Sequence, residues 1–357
     1  MGNRILLLGT GTVGTAIAHL LAPTGDYDLV VADRDEVELE RVPADRARKR
    51  LLSAEDSAAL RDALGDVDVV ISACPYYLSV PIARAARDAE VHYFDLTEDV
   101  ATTKEIQKIA EGASTLFVPQ CGLAPGFISI AAYDLAKRFD SLRRVRMRVG
   151  ALPVFPSNAL KYNLTWSTDG LINEYCNPCE VIYDGELREA LPLEGYEQFS
   201  LDGVTYEAFN TSGGLGTLCD TLQGKVDNLS YKTIRYPGHC EMIRLLVNDL
   251  RLGKRRQVFK DVLEHAVPIT QQDVVLIFVA VSGRRDGKLI QETFSKKVYH
   301  QQVHGVELAA IQLTTAASLC AMLDLQQAGR LGRSGFVRQE DVALPEFLDN
   351  RFGRYFA

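Results

Sequence analysis

The sequence has little of what nucleic-acid-binding and membrane-spanning proteins need. Basic residues are in the minority, 39 Lys and Arg against 47 Asp and Glu, so the formal net charge is −8. A phosphate backbone or an anionic bilayer attracts a basic surface, and this deficit argues against both as main partners. No apolar run approaches the roughly 20 residues that a spanning helix needs. We therefore predict neither nucleic acid nor membrane as a partner.

Cysteines are few and do not form a recognisable framework. There are seven, an odd number scattered along the chain, which favours a reducing cytoplasm over a set of disulfides. Cys176 and Cys179 form a CxxC pair. A structural zinc site needs four ligands, and no second CxxC or pair of histidines accompanies this one. No metal is predicted.

A glycine pattern near the N-terminus is the first positive signal. Gly9, Gly11 and Gly14 have GxGxxG spacing between an apolar run and a helical stretch. The first permits a tight turn, the second lets a pyrophosphate approach the backbone, and the third lets the helix pack close to the strand. This pattern predicts a bound dinucleotide and hence a redox enzyme; the alternative is a glycine-rich turn without ligand. The predicted loop residues are Gly9, Thr10, Gly11, Thr12, Val13 and Gly14.

An aspartate follows at the position that contacts the adenosine ribose in such domains. Asp33 ends an apolar run and lies 19 positions after Gly14. Its carboxylate suits the two ribose hydroxyls and repels a 2′-phosphate, which favours NAD. Arg34 can stack on adenine or shift the choice toward NADP, so NADP stays possible.

Strands and helices alternate over the first third of the chain, which is typical of parallel βαβ units. Strands are predicted at Arg48–Leu52, Asp66–Ser72, Val91–Asp95 and Thr115–Val118. Helices are predicted at Ala54–Leu64, Pro81–Asp88 and Lys104–Glu111, and Ser53 is the expected N-cap of the first. Six strands by about residue 118 predict a Rossmann domain with a doubly wound parallel sheet.

The pattern then changes to longer, more polar strands with few helices between them. The candidates are Arg144–Val149, Tyr162–Trp166, Val181–Tyr183, Val204–Phe209, Leu229–Ile234, Val274–Val281 and, after an Arg-Asp-Gly turn, Leu289–Val298. Such a series predicts an α+β domain. A long helix at Val306–Leu325 is expected to return to the first domain. We predict a Rossmann domain from residues 1–121 and 306–345, and a substrate and oligomerisation domain from 122–305.

Three loops follow the carboxyl ends of predicted parallel strands, where ligands of doubly wound sheets bind. They are Ser72–Tyr77, Asp95–Asp99 and Gln120–Phe127. The first is placed to line the nicotinamide ribose, and the Gly- and Pro-rich third suits close approach to a flat ring. Each alone can be an ordinary turn, but together they favour a site. The cofactor-binding candidates here are Ala73, Cys74, Pro75, Thr97, Gly122, Ala124 and Pro125.

A second candidate site lies at Thr233–His239. Arg235 can clamp a carboxylate through two contacts, and His239 can exchange protons near neutral pH. Judged by residue types alone, a surface ion pair and a helix cap are the favoured interpretation.

A series of short motifs, in order along most of the chain, resembles the saccharopine dehydrogenase-like family, and within it the branch that oxidises lysine. Besides the glycine loop, the motifs are Ala73–Tyr76, Gly122–Gly126, Val149–Pro153, Leu164–Ser167, Glu174–Tyr175, Gly213–Leu218 and Thr233–His239. The resemblance implies oxidation of a carbon that bears nitrogen, with a small amino acid as substrate. It also implies a homo-oligomer, a dimer or higher, assembled through the second domain.

The resemblance also implies roles for individual residues. Gly122–Pro125 would line the cofactor, and His239 is the candidate for proton transfer. The residues implied to bind substrate are Tyr76, Tyr77, Trp166, Thr233 and Arg235. The loops at Tyr76–Tyr77 and Asp95–Asp99 depart from the family pattern, so the amine stays open; Glu98 and Asp99 either attract a cationic amine or begin a solvated helix. The alternatives are a saccharopine- or carboxynorspermidine-type reductase and a catalytically silent nucleotide-binding protein.

Overall fold

The structure is a computed structural model that describes residues 3–42 and 47–357. The chain divides into two units. Unit 1 comprises Met1–Phe127, Gln302–Leu308 and Gln312–Ala357, and unit 2 comprises Ile128–Gln301 and Ala309–Ile311. Both ends of the described chain therefore belong to the same unit.

The strands that form the sheets of the two units are numbered in chain order. They are β1 (Asn3–Leu8), β2 (Tyr27–Asp33), β3 (Arg48–Leu51), β4 (Val69–Ser72), β5 (His92–Asp95), β6 (Leu116–Val118), β7 (Ser141–Pro153), β8 (Cys179–Tyr183), β9 (Glu186–Ala190), β10 (Glu197–Leu201), β11 (Val204–Asn210), β12 (Val226–Arg235), β13 (Asp273–Arg285), β14 (Lys288–Tyr299), β15 (Gln301–Val303), β16 (Val306–Leu308) and β17 (Gly335–Phe336). The α-helices are α1 (Thr12–Leu21), α2 (Glu36–Glu40), α3 (Ser57–Leu64), α4 (Ser79–Asp88), α5 (Val100–Ala110), α6 (Phe127–Ala136), α7 (Thr168–Cys176), α8 (Leu218–Leu222), α9 (His239–Arg244), α10 (Arg256–Ala266), α11 (Ala310–Gln327) and α12 (Leu344–Asp349).

Unit 1 is a parallel sheet in the order β17-β6-β5-β4-β1-β2-β3, with every pair parallel. The central strand β4 is buried at all four positions, because helices cover both faces of such a sheet. The order from β3 to β6 is that of a doubly wound dinucleotide-binding fold. The predicted Rossmann sheet is confirmed. The two-residue β17 was missed, since so short a strand has no periodicity to read.

Three helices of unit 1 begin at positions other than those predicted. Helix α4 begins at Ser79, two residues earlier than predicted, and for α3 and α5 the capping aspartates explain the shift. Asp56, rather than Ser53, caps α3 by accepting hydrogen bonds from the backbone N–H groups of Ala58 and Ala59. Asp99 caps α5 by accepting from Thr102 N at 2.7 Å, so this helix begins four residues earlier than predicted. A side-chain acceptor at the N-cap fixes where a helix starts.

Unit 2 contains a mixed sheet in the order β10-β11-β12-β7-β13-β14, with β8 paired to β12 and β9 paired to β8. Strands β12 and β7 run parallel, and the other pairs are antiparallel. The predicted α+β class is confirmed. The predicted turn between β13 and β14 is a two-residue hairpin loop, in which Asp286 and Gly287 both have positive φ, 53° and 72°.

Two predicted elements of the second half are wrong in detail. Residues 162–166 form no strand; only Leu164 makes an isolated bridge, to Ile269. The predicted helix at 306–325 is split, because β16 occupies 306–308 and α11 begins at Ala310. The buried Asp273 carboxylate fixes that start by accepting hydrogen bonds from the backbone N–H groups of Ala310 and Ile311. Within the described residues, none of the helices has the length and apolar character needed to cross a bilayer.

Candidate functional site

The three glycines of the N-terminal loop have three different environments. Gly9 has φ of +92°, and a Cβ there would lie 2.8 Å from the Ala73 carbonyl oxygen. A Cβ on Gly14 would lie 1.9 Å from the Gly9 carbonyl oxygen, so α1 packs directly on the turn. A Cβ on Gly11 would meet nothing within 4 Å. Gly11 is also the N-cap of α1 and supplies no side-chain cap. The open face of the loop therefore lies at a helix N-terminus, as a pyrophosphate requires.

Asp33, at the end of β2, is tied to the glycine loop. Its Oδ2 accepts hydrogen bonds from Thr10 N at 2.7 Å and Thr10 Oγ1 at 3.0 Å, and its Oδ1 accepts from Asp35 N at 2.9 Å. Thr10 is fully buried, so its side chain holds Asp33 and does not face outward. Arg34 is exposed and lies 3.4 Å from Glu55, a long ion pair. Asp33 therefore stabilises the glycine loop; its contact with the adenosine ribose stays a prediction.

The loop after β4 packs against the glycine turn. Ala73 contacts Gly9, and Cys74 is half-buried. Burial, with a smaller contribution from Asp33, raises the pKa of the Cys74 thiol to about 12, so it remains protonated. Tyr76 and Tyr77 follow in a 3₁₀ turn with their rings edge to face. Tyr77 is exposed. The loop therefore offers backbone and neutral side chains to a ligand.

A buried carboxylate that the sequence interpretation missed joins the loops after β5 and β6. Asp95 Oδ1 accepts hydrogen bonds from Gln120 N at 2.9 Å and Thr97 N at 3.1 Å, and Oδ2 accepts from the Tyr93 hydroxyl at 2.7 Å. Burial raises the pKa of Asp95 to about 6. The predicted contact residue Thr97 is itself buried, and its hydroxyl accepts from Asp99 N. Asp95 therefore fixes the shape of both loops at this edge of the sheet.

Glu98 and Asp99 directly precede α5, as one of the two interpretations expected, but Glu98 is not a fully solvated side chain. It is half-buried, whereas Asp99 is the residue that caps α5. Burial, reinforced by the negative charges of Asp99 and Asp95, raises the pKa of Glu98 to about 7. A carboxyl group that titrates near neutral pH at the carboxyl edge of a parallel sheet is suited to proton exchange.

In unit 2 the predicted Arg235 lies at the end of β12 and is 3% exposed. Its Nε donates to the Tyr175 hydroxyl at 3.1 Å, and Nη1 donates to Thr233 Oγ1 and Ile234 O, both at 2.9 Å. Its Cζ lies 4.8 Å from the centroid of the Tyr162 ring. These contacts fix the guanidinium plane. The interpretation of Arg235 as a surface ion-pair partner is therefore wrong.

His239 begins α9 and is also buried. Its Nδ1 lies 2.8 Å from Leu160 O, and its Nε2 lies 2.9 Å from the Tyr175 hydroxyl. Because a carbonyl only accepts, Nδ1 carries the proton and Nε2 accepts from Tyr175. Burial, followed by the charge of Arg235, lowers the pKa of His239 to about 3. His239 is thus neutral and holds Tyr175, without the near-neutral pKa that a proton acceptor needs.

The turn that carries His239 is held by a second buried carboxylate that the sequence interpretation missed. Glu207 on β11 accepts hydrogen bonds from Gly238 N at 2.7 Å and Cys240 N at 2.6 Å. It is 1% exposed and lies opposite Arg235 in the strand register. Glu207 therefore fixes the backbone on both sides of His239.

The segment of unit 2 between β7 and α7 holds a buried polar atom and the predicted Trp166. Asn163 Oδ1 is buried and has no hydrogen-bond partner among the described residues. Trp166 is partly buried and packs against the apolar cluster that includes Tyr162 and Tyr175. Buried polar groups are normally paired, so such an oxygen is a place where water can bind.

The sequence-predicted residues fall into two groups. In unit 1 the structure brings together the glycine loop, Asp33 and Ala73. The side chains of Arg34 and Tyr77 are exposed to solvent. In unit 2 it brings together Thr233 and Arg235 with Tyr175, through which His239 joins them. Neither Cys176 nor Cys179 forms a disulfide, and all seven cysteines are free thiols. The described residues contain no group of acidic, Cys or His side chains that could hold a metal.

Two family models match the chain, one for each part. Residues 5–117 match the saccharopine dehydrogenase NADP binding domain, and residues 122–351 match the saccharopine dehydrogenase C-terminal domain. The first match agrees with the open glycine loop and confirms the predicted nicotinamide dinucleotide cofactor.

Curated relatives are similar at low identity. Saccharopine dehydrogenase [NADP(+), L-glutamate-forming] of Saccharomyces cerevisiae is 25% identical over 70% of this chain and 58% of its own length. Alpha-aminoadipic semialdehyde synthase of Bos taurus is 21% identical over 83% of this chain and 33% of its own. Carboxynorspermidine synthase of Vibrio cholerae is 26% identical over 39% of this chain and 41% of its own. The chain thus spans less than two thirds of the length of these relatives.

A solved structure shares the fold over nearly the whole chain. Apo saccharopine dehydrogenase (L-Glu forming) from Saccharomyces cerevisiae superposes with a TM-score of 0.76 at 18% identity, covering 99% of this chain and 96% of that one. With the C-terminal model alone spanning more than half of the sequence, the chain belongs to the saccharopine dehydrogenase family.

Proposed function

We propose that the protein is a nicotinamide-dependent dehydrogenase that oxidises an amine-bearing carbon of an amino acid. The proposed substrate is the side-chain amine of L-lysine or of a similar diamino acid, as in the L-lysine 6-dehydrogenases that its motifs resemble. The observation that carries this is the buried Arg235, whose guanidinium is fixed by hydrogen bonds to Tyr175 and Thr233. A fixed guanidinium in such a setting suits a substrate carboxylate.

In this proposal the residues of the chain bind, orient and exchange protons. Arg235 binds the α-carboxylate, and His239 keeps the Tyr175 hydroxyl in place through their 2.9 Å hydrogen bond. NAD or NADP, when bound at the glycine loop, supplies the hydride acceptor for the amine-bearing carbon. Glu98 is the group whose pKa suits removal of the ammonium proton. The resulting imine is hydrolysed to a semialdehyde, which can cyclise with the α-amine.

Of the two cofactors, we propose NAD as the preferred one. Asp33 ends β2, at the position that contacts the adenosine ribose in such domains, and its carboxylate would repel a 2′-phosphate. Asp35 and Glu36 follow it in the chain and add negative charge. The exposed Arg34 is the residue that supports NADP use.

A substrate panel tests the proposal. The purified chain is incubated with NAD or NADP and diamino acids or polyamines, and reduction of the nicotinamide is followed by absorbance. Turnover of L-lysine with NAD is expected. In Arg235→Lys the KM for lysine should rise at least tenfold while cofactor affinity stays within about twofold. The exposed Arg188→Lys serves as control. Equal loss of substrate and cofactor affinity would contradict the clamp.

The second candidate is a reductase that condenses an amine with a carbonyl compound. The names of the curated relatives, which include a saccharopine dehydrogenase and a carboxynorspermidine synthase, favour it. Oxidation of NADH or NADPH only when amine and carbonyl are supplied together would identify this activity. Tight cofactor binding with no turnover of any pair would identify a silent nucleotide-binding protein.

We also propose a homo-oligomer in the cytoplasm. The resemblance supports the assembly, and seven free thiols agree with a reducing compartment. Light scattering on the purified chain measures the assembly; a mass of one chain at micromolar concentration would refute it.

A further inference from the structure

The proposed cofactor site in unit 1 extends across the carboxyl ends of several parallel strands. In that proposal the adenosine lies at Asp33, which ends β2, and the pyrophosphate lies at the glycine loop after β1. Strands β4, β5 and β6 follow in this order on the side of β1 opposite β2. Because neighbouring strands are about 4.8 Å apart, β5 lies roughly 10 Å from β1, within reach of a nicotinamide riboside. The loops after β4, β5 and β6 are therefore the ones that can receive the nicotinamide half.

Asp95 ends β5 and joins its own loop to the loop after β6. Its Oδ1 accepts hydrogen bonds from Thr97 N at 3.1 Å in the first loop and from Gln120 N at 2.9 Å in the second. Its backbone oxygen also accepts from Cys121 N at 2.9 Å. A single carboxylate oxygen therefore holds both loops at a fixed separation.

The loop after β6 has a backbone conformation that its surroundings must maintain. Gln120 is 3% exposed and has φ of +63°, in the left-handed region that a residue with a Cβ rarely adopts. Its side-chain Nε2 donates to Thr103 Oγ1 at 3.0 Å, which anchors it on α5 as well. A Cβ on Gly126 would lie 2.7 Å from Gln120 O, so the loop folds back tightly on this residue. Backbone held in sparsely populated conformations clusters at ligand sites.

The predicted cofactor contacts lie on the two loops that Asp95 joins. They are Thr97 in the first loop and Gly122–Pro125 in the second, which begins two residues after Gln120. Asp95 itself is 1% exposed. Its effect on a ligand is therefore exerted through the loops and not by direct contact.

We infer that Asp95 is the positioning residue of the nicotinamide subsite, holding the Thr97 and Gln120 loops at the spacing that accepts the nicotinamide ring. This inference rests on the proposed cofactor site and deepens the proposed function on the cofactor side, independently of the amine substrate. The hydrogen bonds between Asp33 and the glycine loop form a separate group. Loss of the Asp95 carboxylate should therefore leave binding of the adenosine and the pyrophosphate intact.

Two ligands that differ only at the nicotinamide test the assignment without turnover. NADH carries the ring, and ADP-ribose has a hydroxyl in its place. Binding of each to the full chain is measured by calorimetry at pH 8. The wild type should bind NADH about 5- to 30-fold more tightly, the value of one or two net hydrogen bonds. In Asp95→Ala this preference should fall to about twofold or less, because NADH binding weakens while ADP-ribose binding is retained.

Further variants separate positioning from folding. Asp95→Asn keeps an acceptor oxygen for both loop N–H groups and should keep the preference for NADH. Asp95→Ser, whose oxygen lies one bond short of Oδ1, should lose most of the preference and decides the question if Asp95→Ala does not fold. Asp62→Ala changes an exposed aspartate of the same unit and should behave as wild type.

Four results would overturn the inference. They are a preference that persists in a folded Asp95→Ala or Asp95→Ser variant, an equal loss of both ligands in a folded variant, loss of the preference in Asp95→Asn, and a wild type that does not prefer NADH. If the chain selects NADP, NADPH and 2′-phospho-ADP-ribose replace the two ligands.

The outcome is distinguishable from that of the proposed function because the binding assay needs no turnover. If the preference for NADH depends on Asp95 as expected while no amine is oxidised, the dehydrogenase assignment fails and the positioning role of Asp95 stands.

Discussion

Among single residues, Asp33 combines a structural role in the glycine turn with a proposed role in the choice of cofactor. Its Oδ2 is held by both the N–H and the hydroxyl of Thr10, so the carboxylate stabilises the glycine turn before any ligand arrives. In the proposed cofactor site the same charge would repel a 2′-phosphate. Changes at Asp33 should therefore affect both loop order and cofactor choice.

Asp33→Ser is expected to move the cofactor preference toward NADP and to weaken NAD binding roughly tenfold, because a charged hydrogen-bond acceptor of the loop is lost. Arg34→Ala, which removes the neighbouring positive charge, should lower NADP use without this loss. Dissociation constants for both cofactors in both variants provide the measurement. An unchanged NAD to NADP ratio in Asp33→Ser would refute the assignment.

The pKa values of Glu98 and His239 predict different effects of substitution on the pH dependence of kcat/KM. If Glu98 accepts the proton, kcat/KM should rise with pH through an apparent pKa near 7, and Glu98→Gln should lose that limb. His239 has a pKa of about 3, so His239→Gln should lower the rate without moving the profile. Profiles between pH 5 and 9 decide between them. If kcat/KM of Glu98→Gln still rises through neutral pH, the titrating group is another residue or the substrate amine.

At the scale of elements, the turn between β1 and α1 depends on two kinds of glycine. Gly14→Ala would place a methyl group 1.9 Å from a backbone oxygen, so α1 must move away from the turn. Gly11→Ala meets no protein atom. We expect Gly14→Ala to lower the free energy of unfolding by about 1 to 3 kcal/mol or more. Gly11→Ala should melt like wild type and lose cofactor affinity. Thermal melts with and without NAD measure both, and equal melting of the two variants would contradict this assignment.

The elements that the sequence predicted well are those with strong local patterns. Buried runs such as Val69–Ser72 and the Asp286-Gly287 turn carry their structure in adjacent residues. The errors have non-local causes. The stretch at 162–166 alternates like a strand but pairs only at Leu164, and α11 starts where Asp273, far away in sequence, caps it.

The candidate sites divide in the same way. The glycine loop was predictable because its chemistry needs fixed spacing in one segment. Glu207 was not singled out, since its role comes from a turn about 30 positions away in the chain. Asp95 gave a weak signal, as a carboxylate at the end of a predicted strand.

At the scale of the whole molecule, buried carboxylates couple stability to pH. The pKa of Asp95 is about 6 in the folded state against a usual 3.8, so the folded chain keeps a proton that the unfolded chain releases. The free energy of unfolding therefore falls as pH rises between about 4 and 6, by up to about 3 kcal/mol from this group, and stays lower above that window.

Asp95→Asn removes the buried charge and keeps acceptors for Thr97 N and Gln120 N. We expect it to melt higher than wild type at pH 8, by about 2 to 4 °C for each kcal/mol gained, with the difference closing below pH 4. The exposed Asp62→Asn is the matched control. A difference between Asp95→Asn and wild type that is the same at both pH values would show that the charge is not its cause.

The order of the chain has a consequence for synthesis on the ribosome. Unit 2 takes nearly all of its residues from 128–301, whereas unit 1 also needs Gln312–Ala357. Those late residues supply β17 beside β6, and Arg351 and Asp324, which bond to Tyr27. Translation is vectorial, so unit 2 can fold while the nascent dinucleotide-binding unit still waits for its last segment. Competence to bind NAD should thus emerge only after Gln312–Ala357 has been synthesised.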